Sequence, residues 1–306
     1  MDRVAVPTWL GCPVCRGPLA VSRVQDKVTL RCGQDGLVFE VRDGVFCLLA
    51  PGEAERAARF AEEYRQRRLQ QGWQPPTVAE WRELPFKPLR GMGRVYWRVR
   101  QHSFRLLQTL VQGARANGEL PPRPRAVDVG AGIGWLTRWL AAWGCDVVAL
   151  DISVDAFFGL GAARRLCRAV GAPVVMVQGS MEHLPFQVNQ VDLLVFNAAL
   201  HYAADLPQTL RASAEVLRPK GLLVIMDTPI IVGFVGTPSQ TWAGSRQLPW
   251  TELASALQEA GFTVARKQGG PWWWPLYQAW RKVRGEAVFE LPFIVARLRH
   301  AGSAGV

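Results

Sequence analysis

Residues 126–140, AVDVGAGIGWLTRWL, constrain this chain more than any other stretch. An apolar run ends in an acid, glycines follow at 130, 132 and 134, and apolar residues then recur at helical spacing. That order predicts a strand, a tight turn and a helix. A dinucleotide fingerprint would place its third glycine one position later, where this chain has Trp135. A nucleoside-triphosphate loop needs Gly-Lys-Ser/Thr, which is absent. The glycines let the backbone approach a ligand closely, but the loop carries no Lys or Arg to meet a pyrophosphate before Arg138.

The rest of the chain from 125 onward alternates regularly. Strands are predicted at 126–129, 146–150, 174–178, 191–196, 221–227 and 262–267, with a closing strand at 289–298. Helix-like runs such as WLTRWLAAW, LPQTLRASAEVL and WTELASALQEA separate them. The expectation is an α/β fold: a Rossmann-like, seven-stranded, mostly parallel sheet with helices on both faces. In such sheets ligands bind beyond the C-terminal ends of the strands. The notable polar residues fall there. Asp128 and Gly130 follow the first strand, Asp151 the second, and Ser180, Met181 and Glu182 the third. Asn197 follows the fourth and Asp227 the fifth. Asp151 closes VVALD, 21 residues after Gly130, where a carboxylate can accept both hydroxyls of a ribose.

The motifs VDVGAGIGWLT, VVALDIS and QGSMEHLPFQVNQVDLLVFNAALHYAADLPQTLRASAEVLRPKGLLVIMD, in that order over about residues 125–228, resemble the class I S-adenosylmethionine-dependent methyltransferases of the type 11 kind. The resemblance implies that Asp128, Gly130, Ala131, Gly132 and Gly134 hold S-adenosylmethionine. Asp128, Gly130 and Gly132 would lie at its methionine end. It further implies that Asp151 holds the ribose and Ile152 packs on the adenine. Ser180, Met181 and Glu182 would lie at the adenine edge, and Asn197 near the sulfonium. The family usually has Asp where this chain has Ser180; a hydroxyl can still accept a hydrogen bond, and Glu182 is close in sequence. His201, in ALHYAADL, is the candidate catalytic base, since imidazole titrates in the useful range; the alternative is a histidine that only shapes the pocket. Tyr202 and Asp227 are secondary candidates. Asn197 is followed by AAL, so the Pro-Pro-aromatic continuation of nucleobase amino methylases is missing.

Residues 1–50 read as a small β-rich module of short antiparallel strands with a turn at Asp43-Gly44. This module resembles the zinc-ribbon-like, Trm112-type units that accompany some methyltransferases. Cys12, Cys15, Cys32 and Asp35 form a candidate zinc set; Cys47 could replace Asp35, or the module could have lost its metal. Residues 51–124 form a basic helical linker or cap, with helices at 53–70 and 93–113 and a loop at 72–93. The methyltransferase domain occupies 125–306. The net charge of +11 divides into +1 for 1–50, +8 for 51–125, −2 for 126–230 and +4 for 231–306. Basic flanks suit an anionic partner, and also suit a merely solvated helix. GPWWWPLYQAWRKVRG, 270–285, reads either as an interfacial or lid element or as an insertion packed on the sheet. The start MDRVAVPTWLGC resembles no signal peptide, and six cysteines suit a reducing cytoplasm. The implied reaction is methyl transfer to a small-molecule, lipid-like or quinone-like acceptor, with peripheral membrane contact as one option. The alternatives are an rRNA or tRNA methyltransferase using the basic flanks, and a non-catalytic cofactor-binding or partner protein.

Overall fold

The computed structural model describes residues 6–24, 27–89, 93–231, 248–286 and 288–299. The chain begins with β1 (Leu19–Val24), β2 (Lys27–Cys32), β3 (Val38–Arg42) and β4 (Val45–Cys47). Helices α1 (Ala54–Gln70), α2 (Val78–Arg82) and α3 (Arg94–Ala116) follow. Then come β5 (Arg125–Val129), α4 (Trp135–Ala142), β6 (Asp146–Asp151), α5 (Leu160–Arg168), β7 (Val174–Gln178) and β8 (Val191–Asn197). The chain continues through α6 (Leu206–Val216), β9 (Leu217–Met226), β10 (Ile230–Ile231) and β11 (Leu248–Pro249). It closes with α7 (Trp250–Glu259), β12 (Phe262–Gln268), α8 (Trp274–Val283), β13 (Phe289–Glu290) and β14 (Phe293–Leu298).

The expected seven-stranded sheet is present, in the order β7-β6-β5-β8-β9-β14-β12. β14 alone runs antiparallel to its neighbours. The order reverses between β5 and β8, which places a crevice at their C-terminal ends. Strands β5, β6, β8 and β9 are nearly continuous buried apolar runs because helices cover both faces.

The sheet does not stop at β7. β4 pairs parallel with it, Cys47 opposite Gln178, and β3, β2 and β1 extend the sheet to eleven strands. Edge strand β7 is thereby covered, which removes an aggregation-prone edge. Trp9, Leu10, Phe46 and Leu48 of the N-terminal segment share one hydrophobic core with Val129, Leu150 and Val177. Trp9 stacks on Phe186 with ring centroids 5.1 Å apart.

Two local expectations are corrected. Residues 78–82, read as loop, form α2: Thr77 and Glu80 make a reciprocal capping box that stabilises a helix this short. The closing strand is broken at Leu291-Pro292, where proline withholds a ladder donor, so 289–290 join a separate small sheet. Segment 270–285 contains a ten-residue helix, α8, because Pro275 sits in its first turn, where no amide donor is required. No helix among the described residues is long and apolar enough to cross a membrane.

Candidate active site

A cavity of about 390 Å³ opens at the C-terminal ends of β5, β6, β7 and β8, within the size range of ~300–1,000 Å³ common for ligand pockets. Gly130, Gly132, Asp151, Ile152, Met181, Glu182 and His201 line it. Asp128, Ala131, Gly134, Ser180 and Asn197 do not line it.

The glycine loop folds back on β6. The amides of Gly130 and Ala131 donate to the Leu150 carbonyl at 2.8 and 3.0 Å. Gly130 adopts φ +70°, and a Cβ there would lie 2.5 Å from the Ala199 Cβ. Only glycine allows this approach. The Asp151 carboxylate braces the same loop, accepting from Gly132 N and Ser153 N at 2.8 Å each. Each of its oxygens retains a lone pair for a ligand hydroxyl. Burial raises the Asp151 carboxyl to about 6 against those hydrogen bonds.

Asp128 accepts from the Thr137 hydroxyl at 2.6 Å through one oxygen; the other is buried with no partner. Burial raises its carboxyl to about 7 against the Thr137 bond, and the Asp151 charge adds to the rise. Asn197, on the neighbouring strand, likewise carries a buried, unpartnered Oδ1. Buried acceptors without donors signal a missing ligand or water. Two such acceptors at adjacent strand ends suit a cationic donor such as an amino-acid ammonium, so these residues fit the methionine end of S-adenosylmethionine.

Ser180 is buried, not open to the cavity. Its hydroxyl is tied to Glu182, and Arg56 donates to Ser180 Oγ at 3.0 Å and to Glu182 Oε2 at 3.1 Å. Glu182 also accepts from Ala204 N at 2.8 Å. Burial works to raise the Glu182 carboxyl, but the Ser180, Ala204 and Arg56 contacts outweigh it and hold it low. A carboxylate thus faces the cavity two residues after the position where the family usually has its acid.

His201 lies on a 3₁₀ turn, Leu200–Tyr202, buried and with Nδ1 unpartnered. Burial and the charges of Arg68 and Arg100 push its pKa down to about 3. Protonating the ring there costs about 5 kcal/mol more than in water. The imidazole borders the cavity, and its surroundings oppose proton uptake. Asp227, raised by burial to about 6, accepts from Ser103 Oγ at 2.6 Å.

One wall of the cavity comes from the linker. Arg56, Arg59, Phe60, Glu63 and Tyr64 of α1 line it. Phe60 stacks on Tyr64 at 5.7 Å, and both meet Tyr202 edge-on at 5.7 and 5.9 Å. The helical recurrence of Ala57, Phe60, Ala61 and Tyr64 announces an apolar face but not that it covers a ligand site.

Cys12, Cys15, Cys32 and Asp35 converge, with their ligand atoms within 4.8 Å of one another, and none of them lines the cavity. Tetrahedral zinc with bonds of ~2.3 Å to sulfur needs ligand atoms ~3.8 Å apart, so the donor set and spacing fit the ion. The amides of Val14, Gly17 and Gln34 each donate to a cysteine sulfur at 3.4 Å, as thiolate ligands require. Cys47 stands outside this cluster, its thiol directed at the Val45 carbonyl.

The family description "Methyltransferase domain" matches residues 127–225, and "Trm112p-like protein" matches residues 10–44. An uncharacterized methyltransferase of Synechocystis is 34% identical over 163 residues, 49% of this chain and 72% of that protein. The chain belongs to the S-adenosylmethionine-dependent methyltransferases. The demethylmenaquinone methyltransferase of Mycolicibacterium gilvum is 33% identical over 109 residues, 36% of this methyltransferase and 44% of that one. Among solved structures, a geranyl diphosphate methyltransferase in complex with GPP and sinefungin superposes with a TM-score of 0.55 at 17% identity, covering 79% of this chain and 99% of that one. That likeness is one of fold. The enzyme therefore uses S-adenosylmethionine, and the reading as a non-catalytic protein gives way.

Proposed function

We propose that the enzyme methylates a small, lipid-like or quinone-like acceptor bound between the glycine loop and α1. The observation that carries this reading is the aromatic wall of Phe60, Tyr64 and Tyr202 beside His201. Planar apolar surfaces of this kind take up ring-bearing ligands. The likeness to a demethylmenaquinone methyltransferase supports the same class.

The cofactor supplies a methyl group already activated on a sulfonium. The chain's part is to hold donor and acceptor in line and exclude water. Asp151 and Glu182 would anchor the nucleoside, and Asp128 with Asn197 the ammonium. His201 is best read as a neutral hydrogen-bonding and packing group at the acceptor end, since its surroundings oppose proton uptake. We also propose that zinc binds Cys12, Cys15, Cys32 and Asp35. The cytoplasm is the assumed compartment, where the cysteines, all free thiols, stay reduced.

RNA fits less well. Arg56 is paired with Glu53 and Glu182, Arg65 with Glu62, and Arg68 is buried between Tyr64 and Trp73. These α1 cations are engaged within the fold rather than offered to phosphates. The test offers methyl-labelled S-adenosylmethionine with demethylated naphthoquinol or benzoquinol and, separately, bulk RNA. Solvent-extractable label supports the reading. Label only in a nuclease-sensitive product, weakening steeply with salt, overturns it.

A further inference from the structure

Twelve large apolar side chains are exposed among the described residues, and four of them fall between 272 and 283: Trp272 at 84%, Leu276 at 68%, Trp280 at 51% and Val283 at 88%. A third of the exposed apolar set in twelve residues is a patch, not scatter. Leu276, Trp280 and Val283 follow helical spacing along α8, and Trp272 precedes its first turn.

The opposite face of α8 is anchored. Trp274 is buried, Gln278 accepts from Phe289 N at 3.1 Å, and Arg281 donates to Tyr96 Oη of α3 at 3.2 Å. The apolar stripe is therefore presented outward on a fixed helix. Lys282 lies on the same helix, and α3, whose Val95, Tyr96 and Val99 pack with Trp274 and Tyr277, carries exposed Arg94 and Arg98 in its first turns; all three cations lack an ion pair among the described residues.

We propose that α8 docks the enzyme on an anionic lipid bilayer, lying in the interface with Trp272, Leu276 and Val283 inserted and the three cations at the headgroups. Tryptophan favours that depth, and basic residues beside an apolar helix face favour anionic lipid. Ten residues are too few to span, so the helix lies flat. Glu286, just past the end of α8, is neutralised by Arg281 and Arg284, so the unpaired charges of α8 and the first turns of α3 are cationic. A fluid acidic surface matches the stripe and these charges, whereas a partner protein would need matching acidic pockets. α3 also reaches the C-terminal end of β9, where Ser103 donates to Asp227. Docking would thus bring a lipid-like acceptor to the enzyme; the purpose rests on the reading above, whereas the binding test does not.

The full-length enzyme is floated with vesicles of phosphatidylcholine containing about one-third phosphatidylglycerol, and with phosphatidylcholine alone. The expected result is recovery with the anionic vesicles, declining as salt rises. Trp272→Ser with Leu276→Ser and Val283→Ser should lower partitioning at least ~10-fold, with melting temperature and S-adenosylhomocysteine binding unchanged. Arg98→Glu with Lys282→Glu should abolish the preference for anionic over neutral vesicles. The proposal is overturned if the wild type stays out of the anionic vesicle fraction or if the triple serine variant partitions like wild type. It is equally overturned by a solution dimer that the triple variant dissociates without any vesicle binding, which would assign the face to a second copy. Failure of acceptor labelling alone would strike the acceptor class and leave the docking result standing.

Discussion

Cofactor affinity should depend steeply on pH, because two buried acids at the site must be ionised to hold it. Folding raises Asp128 to about 7 and Asp151 to about 6, mainly by burial. A carboxyl raised in this way binds protons more tightly folded than unfolded. Its ionised form costs stability above the raised pKa, and that cost declines as pH falls from the raised pKa towards the unfolded value. Ligand binding reverses the preference: an ammonium at Asp128 and hydroxyls at Asp151 both favour the carboxylate. If only ionised forms bind, lowering the pH from about 8 to about 5 weakens binding ~100-fold through Asp128 and ~10-fold through Asp151, ~1,000-fold together. Titration calorimetry with S-adenosylhomocysteine, repeated in buffers of different ionisation enthalpy, reads both the affinity and the protons released. Asp128→Asn should weaken binding at high pH and remove the upper part of the slope. An affinity that is level between about pH 5 and about pH 8 in a protein shown to stay folded would refute the assignment of both acids to the cofactor.

Asp151→Ala should raise the S-adenosylhomocysteine dissociation constant at least ~30-fold, because it removes the ribose acceptor and leaves the Gly132 and Ser153 amides unpaired, at ~1–3 kcal/mol each. Asp227→Ala should change it less than ~3-fold by the same titration, and equal losses would contradict the ribose assignment. Gly130→Ala should cost ~2–5 kcal/mol through overlap with Ala199 and left-handed strain, seen as a melting temperature lower by ~5–15 °C. Adding Ala199→Gly should recover part of that loss, and a full-stability single variant would argue against the tight turn. Elemental analysis should find one zinc per chain, sharply reduced in Asp35→Ala and unchanged in Cys47→Ser, with chelation lowering the melting temperature; retention of zinc in Asp35→Ala would exclude that ligand.

The central sheet was readable because its strands are apolar runs, and Asp128, Gly130 and Asp151 mark the ends of two strands, β5 and β6, that lie side by side. The paired buried acceptors at Asp128 and Asn197 were foreshadowed by the same alternation. Long-range pairing was not readable. VFC at 45–47 looks like the end of a hairpin; nothing local says that it pairs with β7. Residues 78–82 carried their capping box openly, but Gly, Pro and Trp around it favoured a loop reading. His201 shows a different limit. Its position was legible, but its pKa depends first on burial and then on Arg68 and Arg100, which sit on two helices remote in sequence. A histidine chosen for its ordinary titration is moved out of range by burial and charges that only the fold assembles.

We propose that the segments 1–50, 51–124 and 125–306 work as one unit although their sequences read as three. The adenine-side carboxylate illustrates why. Glu182 belongs to the methyltransferase segment, yet its charge is held by Arg56 of α1, and Arg56 is held by Glu53 at 2.9 Å. Glu53 in turn accepts from Ala50 N at 3.0 Å, where the first module ends. The same junction carries β4, whose Cys47 stands opposite Gln178, and Leu48 N donates to the Gln178 carbonyl at 2.8 Å. Gln178 sits beside Asp151 in register on β6 and reaches Ile152 O with its side chain at 3.2 Å. The N-terminal module at one edge therefore braces the strand beside Asp151, while α1 of the linker forms one wall of the cavity. Buried polar networks of this kind are strong only when every member is satisfied. Here the members come from all three segments, so the cofactor cradle is a property of the whole chain and not of the glycine-loop domain alone.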